Sequence, residues 1–200
     1  SERGIRDSHE DATDDSPLVM LVQGLATGEK MDAVIRHATE LGVAAFMPLT
    51  CERSIVKLDA KKTRTRLDRW CSIAKSAAMQ SGQPRIPEVL EPRSAKEAAV
   101  ELAEATAVLI CWEEAPQTAS LAQAIGRGLS ECSCPRGDAR IAVVVGPEGG
   151  LTEREVGFFL DANPRASLVS LGSSILRTET AGVVAPALTL FELGKLGGTR

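Results

Sequence analysis

Residues 141–181 read IAVVVGPEGGLTEREVGFFLDANPRASLVSLGSSILRTETA, and this stretch decides the fold. Val143-Val144-Val145 is an uninterrupted β-branched run, the pattern of a strand buried on both faces of a parallel sheet. Gly146-Pro147-Glu148-Gly149-Gly150 stops it, and its glycines allow positive φ and close approach of backbone to a ligand. Thr152, with Glu155 three residues on, reads as a capping box that opens a helix. The unit then repeats in altered form. Residues 166–171 predict a second strand, Gly172-Ser173-Ser174 a second turn, and Thr178-Glu179-Thr180 the start of the last helix. Two such turns at the C-terminal ends of strands gather backbone N–H and C=O groups where open α/β sheets bind ligands. A glycine-rich turn of this kind also occurs where it only closes a loop. No Lys-Ser or Lys-Thr pair follows the glycines and GxGxxG is absent, which excludes a P-loop and the dinucleotide fingerprint. The residues alone give a ligand turn without naming the ligand.

Working outward, residues 18–22 (LVMLV) predict a strand. Met31, Val34, Ile35, Ala38 and Leu41 recur at helical spacing, Gly42 stops that helix, and residues 44–49 predict the next strand. This rhythm indicates a parallel sheet from the start. Residues 59–81 form a long helical pattern with Lys61, Lys62, Arg64, Arg66 and Arg69 above an apolar stripe of Leu67, Trp70, Cys71, Ala74, Ala77 and Ala78. A short strand at 86–89, a helix at 94–105, a strand at 107–112 and a helix at 121–129 lead to the central strand. Residues 178–193 predict the final helix, with Pro186 expected to kink or break it. Glu40 at a helix end, and Glu113-Glu114 at a strand end positioned to face the glycine turn, are acidic candidates that also fit solvated element ends.

At 200 residues and 44% hydrophobic content, the chain can bury a sizeable core as one or two domains. No apolar run reaches the ~20 residues of a membrane helix and no signal-peptide pattern opens the sequence, so a cytoplasmic protein is expected. Cys51, Cys71, Cys111, Cys132 and Cys134 are odd in number, and only His9 and His37 could join them as imidazole ligands. Cys132-Ser133-Cys134 is the one close pair and has no second pair to match it, so reduced thiols and no metal site are expected. The net charge of −4 resides in residues 1–16, an acidic, aperiodic stretch that predicts a disordered linker. Positions 52–75, by contrast, carry eight basic and three acidic side chains. A basic run on a helix is either a solvated face or a phosphate-contacting one. With no Tyr and 3% aromatics, stacking platforms for single-stranded RNA are not expected to dominate.

The pairing of GPEGG with LGxxILRTETA about twenty-five residues later is far more specific than either turn alone, and it resembles the cofactor-binding region of the SPOUT methyltransferases. In detail it resembles the ribosomal RNA small-subunit methyltransferase E family (RsmE). Thr39-Glu40-Leu41-Gly42, Pro48, Arg53, Ser54 and Val56 extend the likeness, which covers residues 17–197. The resemblance implies a mainly parallel α/β sheet with helices on both faces and a C-terminal trefoil knot. It also implies a homodimer that binds S-adenosylmethionine and methylates N3 of a uridine in small-subunit (16S) ribosomal RNA, free or in the 30S particle. On this basis Gly146, Pro147, Glu148, Gly149, Leu171, Gly172, Ile175 and Leu176 are the expected cofactor contacts. Arg177 and Glu179 are the candidates for anion stabilisation and proton handling, with a structural Arg–Glu pair as the alternative. Arg53, Lys57, Lys61 and Lys62 are the candidate RNA contacts. Family members usually carry an N-terminal PUA-like β-barrel, and residues 1–16 leave no room for one before Leu18, so the sequence reads as a catalytic domain (17–200) with its linker. Ser174, Thr27, His37 and Gln83 stand where family members commonly carry lysine or arginine, each removing a positive charge from the expected RNA side or active-site rim. Two other readings stay open: a non-catalytic ribosome-binding or assembly factor, and a SPOUT enzyme acting on another RNA such as transfer RNA.

Overall fold

The computed structural model describes residues 17–115 and 117–198; the acidic stretch 1–16 lies outside them. In chain order the elements are β1 (Leu18–Gly24), α1 (Lys30–Leu41), β2 (Ala45–Thr50), α2 (Ala60–Ser81), β3 (Glu88–Val89), β4 (Arg93–Ser94), α3 (Ala95–Glu101), β5 (Ala107–Cys111), α4 (Leu121–Glu131), β6 (Arg140–Val145), α5 (Glu153–Ala162), β7 (Ala166–Val169) and α6 (Thr178–Glu192). The strands form one sheet in the order β3-β2-β1-β6-β5-β7, with β4 also on β2. Each pairing is parallel.

Because side chains alternate along a strand, the central strands feed two cores. Val19, Leu21, Leu109, Ile141, Val143 and Val145 face one core with α1, α2, α4 and α6. Val22, Val108, Ile110, Ala142 and Val144 face the other with α3 and α5. Burial on both faces explains the unbroken Val143–Val145 run.

The helix boundaries follow local chemistry. Thr152 and Glu155 form the expected capping box at α5, Ser94 and Glu97 form one at α3, and Gly42 ends α1 in the left-handed conformation at φ 101°. Four expectations are corrected. The helix expected over 94–105 ends at Glu101, where Asn163 Nδ2 donates to the Leu102 and Ala105 carbonyls and fixes a turn. β7 stops at Val169, because its partner β5 ends opposite it at Cys111, so Leu171 lies in the turn. Pro186 does not break α6; packing against α1, α4, β1 and β6 outweighs the roughly 3 kcal/mol cost of an interior proline. Cys71 is exposed, while Trp70, Ala74, Ala77 and Ala78 form the buried stripe of α2.

One connection positions the site. From β6 the chain skips over β5 to reach β7 at the sheet edge, then returns along 170–177 to begin α6 beside β1 and β6. The return brings the second glycine turn alongside the first.

Candidate active site

The two turns and the start of α6 enclose a cavity of about 590 Å³ at the C-terminal ends of β5, β6 and β7. Its wall includes Gly146, Pro147 and Glu148 from the first turn and Leu171, Gly172, Ile175 and Leu176 from the second. Arg177 and Glu179 line the same space. The expected cofactor residue Gly149 is not part of the wall. An added Cβ there would meet the Arg53 carbonyl oxygen at 2.8 Å, so Gly149 serves close packing of loop on loop.

The first turn is tied down by charge. Thr27 N, Thr27 Oγ1 and Lys30 Nζ donate to Glu148 Oε1 at 2.9, 2.7 and 2.8 Å. Burial pushes the Glu148 carboxyl up, but the hydrogen bonds from Lys30 and Thr27 outweigh it and bring it down to about 2. Lys30 is correspondingly raised, chiefly by its hydrogen bond to Glu148. On the other side of the turn, Arg53 Nη1 donates to Glu114 Oε1 at 2.8 Å and to the Gly149 carbonyl at 3.3 Å. Trp112 Nε1 donates to the Leu151 carbonyl at 3.1 Å.

At the start of α6, Thr178 Oγ1 donates to the Gly146 carbonyl at 2.6 Å and accepts from Gln23 Nε2 at 2.9 Å. Glu179 is paired with Lys30 at 3.8 Å rather than with Arg177. That distance is an ion pair but not a hydrogen bond. Glu179 Oε2 is buried and has no hydrogen-bond partner, so it is left as an unused acceptor at the cavity wall. Cys111 also lines the cavity, and burial pushes its thiol up to about 12, so it stays protonated at neutral pH.

The other candidates fall elsewhere. Lys57, Lys61 and Lys62 are exposed before and within the first turn of α2, outside the cavity wall, and Lys62 sits 3.5 Å from the capping residue Asp59. Arg69, expected on the basic face, pairs with the buried Asp32 at 2.6 Å. Glu113 lines the cavity as its strand-end position suggested, whereas Glu40 pairs with His37 at 3.5 Å, ~15 Å along α1 from Lys30. Of the four unusual positions, Ser174 lines the cavity and Thr27 holds Glu148. Gln83 donates to the Glu40 carbonyl at 2.8 Å, so it and His37 sit at the far end of α1 and take no charge from the rim. Sequence reading missed Lys30, Gln23 and Thr178 as parts of the site. Thr178 lay within the quoted motif, but the partners of Lys30 and Gln23 are 118 and 155 residues away.

A profile of an RNA methyltransferase domain matches residues 14–190. The ribosomal RNA small subunit methyltransferase E of Bacillus subtilis is 35% identical over 180 residues, covering 90% of this chain and 68% of that protein. The chain belongs to the RsmE family. The Mycobacterium bovis RsmE is 34% identical over 173 residues, covering 84% of this chain and 61% of that protein. The crystal structure of the Neisseria gonorrhoeae RsmE bound to S-adenosyl methionine aligns with a TM-score of 0.71 at 32% identity, covering 90% of this chain and 69% of that one. The present RsmE-family chain thus spans about two thirds of the length of these relatives. Its SPOUT-type parallel sheet is shared with the Neisseria gonorrhoeae structure.

Proposed function

We propose that this chain is the catalytic part of an S-adenosylmethionine-dependent methyltransferase acting on N3 of a uridine in small-subunit (16S) ribosomal RNA. One observation carries the reading. Two glycine turns from different strand ends enclose about 590 Å³, and α6 delivers Arg177 and Glu179 into the same space. The volume falls within the roughly 300–1,000 Å³ of small-molecule sites. Val145, Val169, Leu171 and Leu176 provide apolar wall for a purine, and Glu113, Glu148 and Glu179 suit a ligand that carries positive charge. When bound, the cofactor supplies a methyl group on a sulfonium, ready for in-line displacement.

The remaining work falls to the chain. The walls fix the approach of the nucleophile, the main contribution to a displacement that needs no covalent intermediate. Glu179 Oε2, which faces Lys30 at 3.8 Å but makes no hydrogen bond, accepts the proton that uridine N3 must lose before it forms the new N–C bond. Arg177 and the first N–H groups of α6 stabilise negative charge developing on the uracil oxygens.

The same reading includes a trefoil knot made by the 170–177 return and α6, a homodimer, and a cytoplasmic location. The exposed Leu188 and Phe191 of α6, at 40% and 61%, support a second copy on that helix. Among the described residues no helix is long and apolar enough to cross a membrane. The exposed Lys57, Lys61 and Lys62, with Arg53, support a phosphate-facing surface toward the RNA or the 30S particle.

The test is incubation of the chain with methyl-labelled S-adenosylmethionine and 30S particles lacking the modification. Label in 16S RNA, at a site that stops reverse transcription because N3 methylation blocks the Watson–Crick edge, is the expected outcome. Cofactor binding without any label would favour the assembly-factor reading, and label in transfer RNA in a parallel incubation with that substrate would move the substrate.

A further inference from the structure

We infer that Gln23 is a positioning residue for the first glycine turn, acting through the hydroxyl of Thr178; the inference rests on the reading of this cavity as the cofactor site. Gln23 is 1% exposed, one residue from the end of β1 and between β2 and β6. Its Nε2 donates to Thr178 Oγ1 at 2.9 Å and to the Gly24 carbonyl at 3.3 Å. A carbonyl can only accept, so the Gly24 contact fixes which end of the amide points there. Thr178 Oγ1 therefore receives a hydrogen from Gln23, and its own hydrogen is directed to the Gly146 carbonyl, 2.6 Å away.

The other side of that peptide is held by sterics. An added Cβ on Gly24 would sit 2.3 Å from Pro147 N, so β1 backbone rests against the Gly146–Pro147 bond. The turn begins from a peptide gripped between Gly24 and the Thr178 hydroxyl. Gln23 Oε1, meanwhile, has no partner and lies 2.3 Å from where a Cβ on Gly182 would stand. Packing alone would be served better by an apolar side chain of similar shape, because a buried unpaired acceptor is destabilising. The amide is accounted for by its donor, which sets the direction of the Thr178 hydroxyl.

The experiment uses the 200-residue chain and the variants Gln23→Met, Thr178→Val, Thr178→Ser and the Gln23→Met/Thr178→Val double. Hydrogen exchange is read first, without cofactor. The Gly150 amide, which donates to the Pro147 carbonyl at 2.9 Å, is expected to exchange about tenfold faster in Gln23→Met and Thr178→Val, with the β5 and β6 amides unchanged. Calorimetric titration with S-adenosylmethionine should show binding weakened about tenfold in either single variant. The double variant should be no weaker than Thr178→Val alone, and Thr178→Ser should recover most of the loss. Unchanged Gly150 exchange in a folded Gln23→Met, or losses that multiply in the double variant, would overturn the relay. Should Gln23→Met not fold, Thr178→Val against Thr178→Ser decides by the same exchange. A wild-type chain that binds no S-adenosylmethionine would sink the cofactor reading and leave the exchange result to judge the relay.

Discussion

The two glycine turns do the same topological job but are held in opposite ways. The first, residues 146–150, is fastened from outside: Thr27 and Lys30 grip Glu148, Arg53 holds the Gly149 carbonyl, and Thr178 holds the Gly146 carbonyl. The second, residues 170–176, has one distant backbone tie, Ser170 N to the Ala119 carbonyl at 3.4 Å, and is otherwise held locally, with Ser170 Oγ accepting from Gly172 N and donating to the Gly172 carbonyl, both at 3.1 Å. Gly172, Ser173, Ser174 and Ile175 are exposed, Ile175 at 85%. The first turn is preorganised by the fold, and the second presents surface that only a ligand or a partner would cover. The catalytic candidates follow the second turn but lean on the first through Lys30, which serves both Glu148 and Glu179.

Substitutions that separate holding from chemistry should sharpen this contrast. The largest effect is expected for Glu179→Gln: kcat for methyl transfer falls ~10²–10⁴-fold while calorimetric affinity for S-adenosylmethionine stays near wild type. An equal loss in affinity would make Glu179 part of the holding apparatus instead. Next is Gly24→Ala, which forces a Cβ to within 2.3 Å of the Pro147 backbone nitrogen. Urea unfolding should show a loss of about 3 kcal/mol, and cofactor affinity should fall with it.

The tether on Glu148 gives a pH signature. Its carboxyl drops from an ordinary 4.5 to about 2, so its contribution to stability is fully present above 4.5 and is lost as pH falls through about 2. Between pH 5 and 2, wild type should lose more stability in urea melts than Glu148→Gln does; parallel curves would remove the ion pair from the stability of the turn. The smallest effect is expected for Ile175→Ser. Unfolding free energy without cofactor should change by less than about 0.5 kcal/mol, since the side chain is 85% exposed, while cofactor affinity drops. A large loss of stability would show that the second turn is not the loosely held one.

Much of the fold could be read from the sequence because its signals are local. The capping box at Thr152, the glycine stop at Gly42 and the valine run of β6 each lie within a few residues, and each forms as expected. Elements failed where a distant partner decides: β7 ends where Cys111 ends, and α6 survives Pro186 because four elements pack on it. The site divides in the same way. The turns and Arg177 were legible as a motif, but Lys30 reaches Glu148 across 118 residues and Gln23 reaches Thr178 across 155. Arg53 was read as an RNA contact by its charge, and its pairing with Glu114 and the Gly149 carbonyl was not visible in the sequence. Charge in a sequence does not say which charges are already paired.

The central claim is that the cavity between the two turns is a cofactor site, and calorimetric titration of the 200-residue chain with S-adenosylmethionine tests it most directly. The expected result is saturable binding at one site per chain, weakened in Ile175→Ser. A chain shown to be folded that takes up no S-adenosylmethionine would contradict the account.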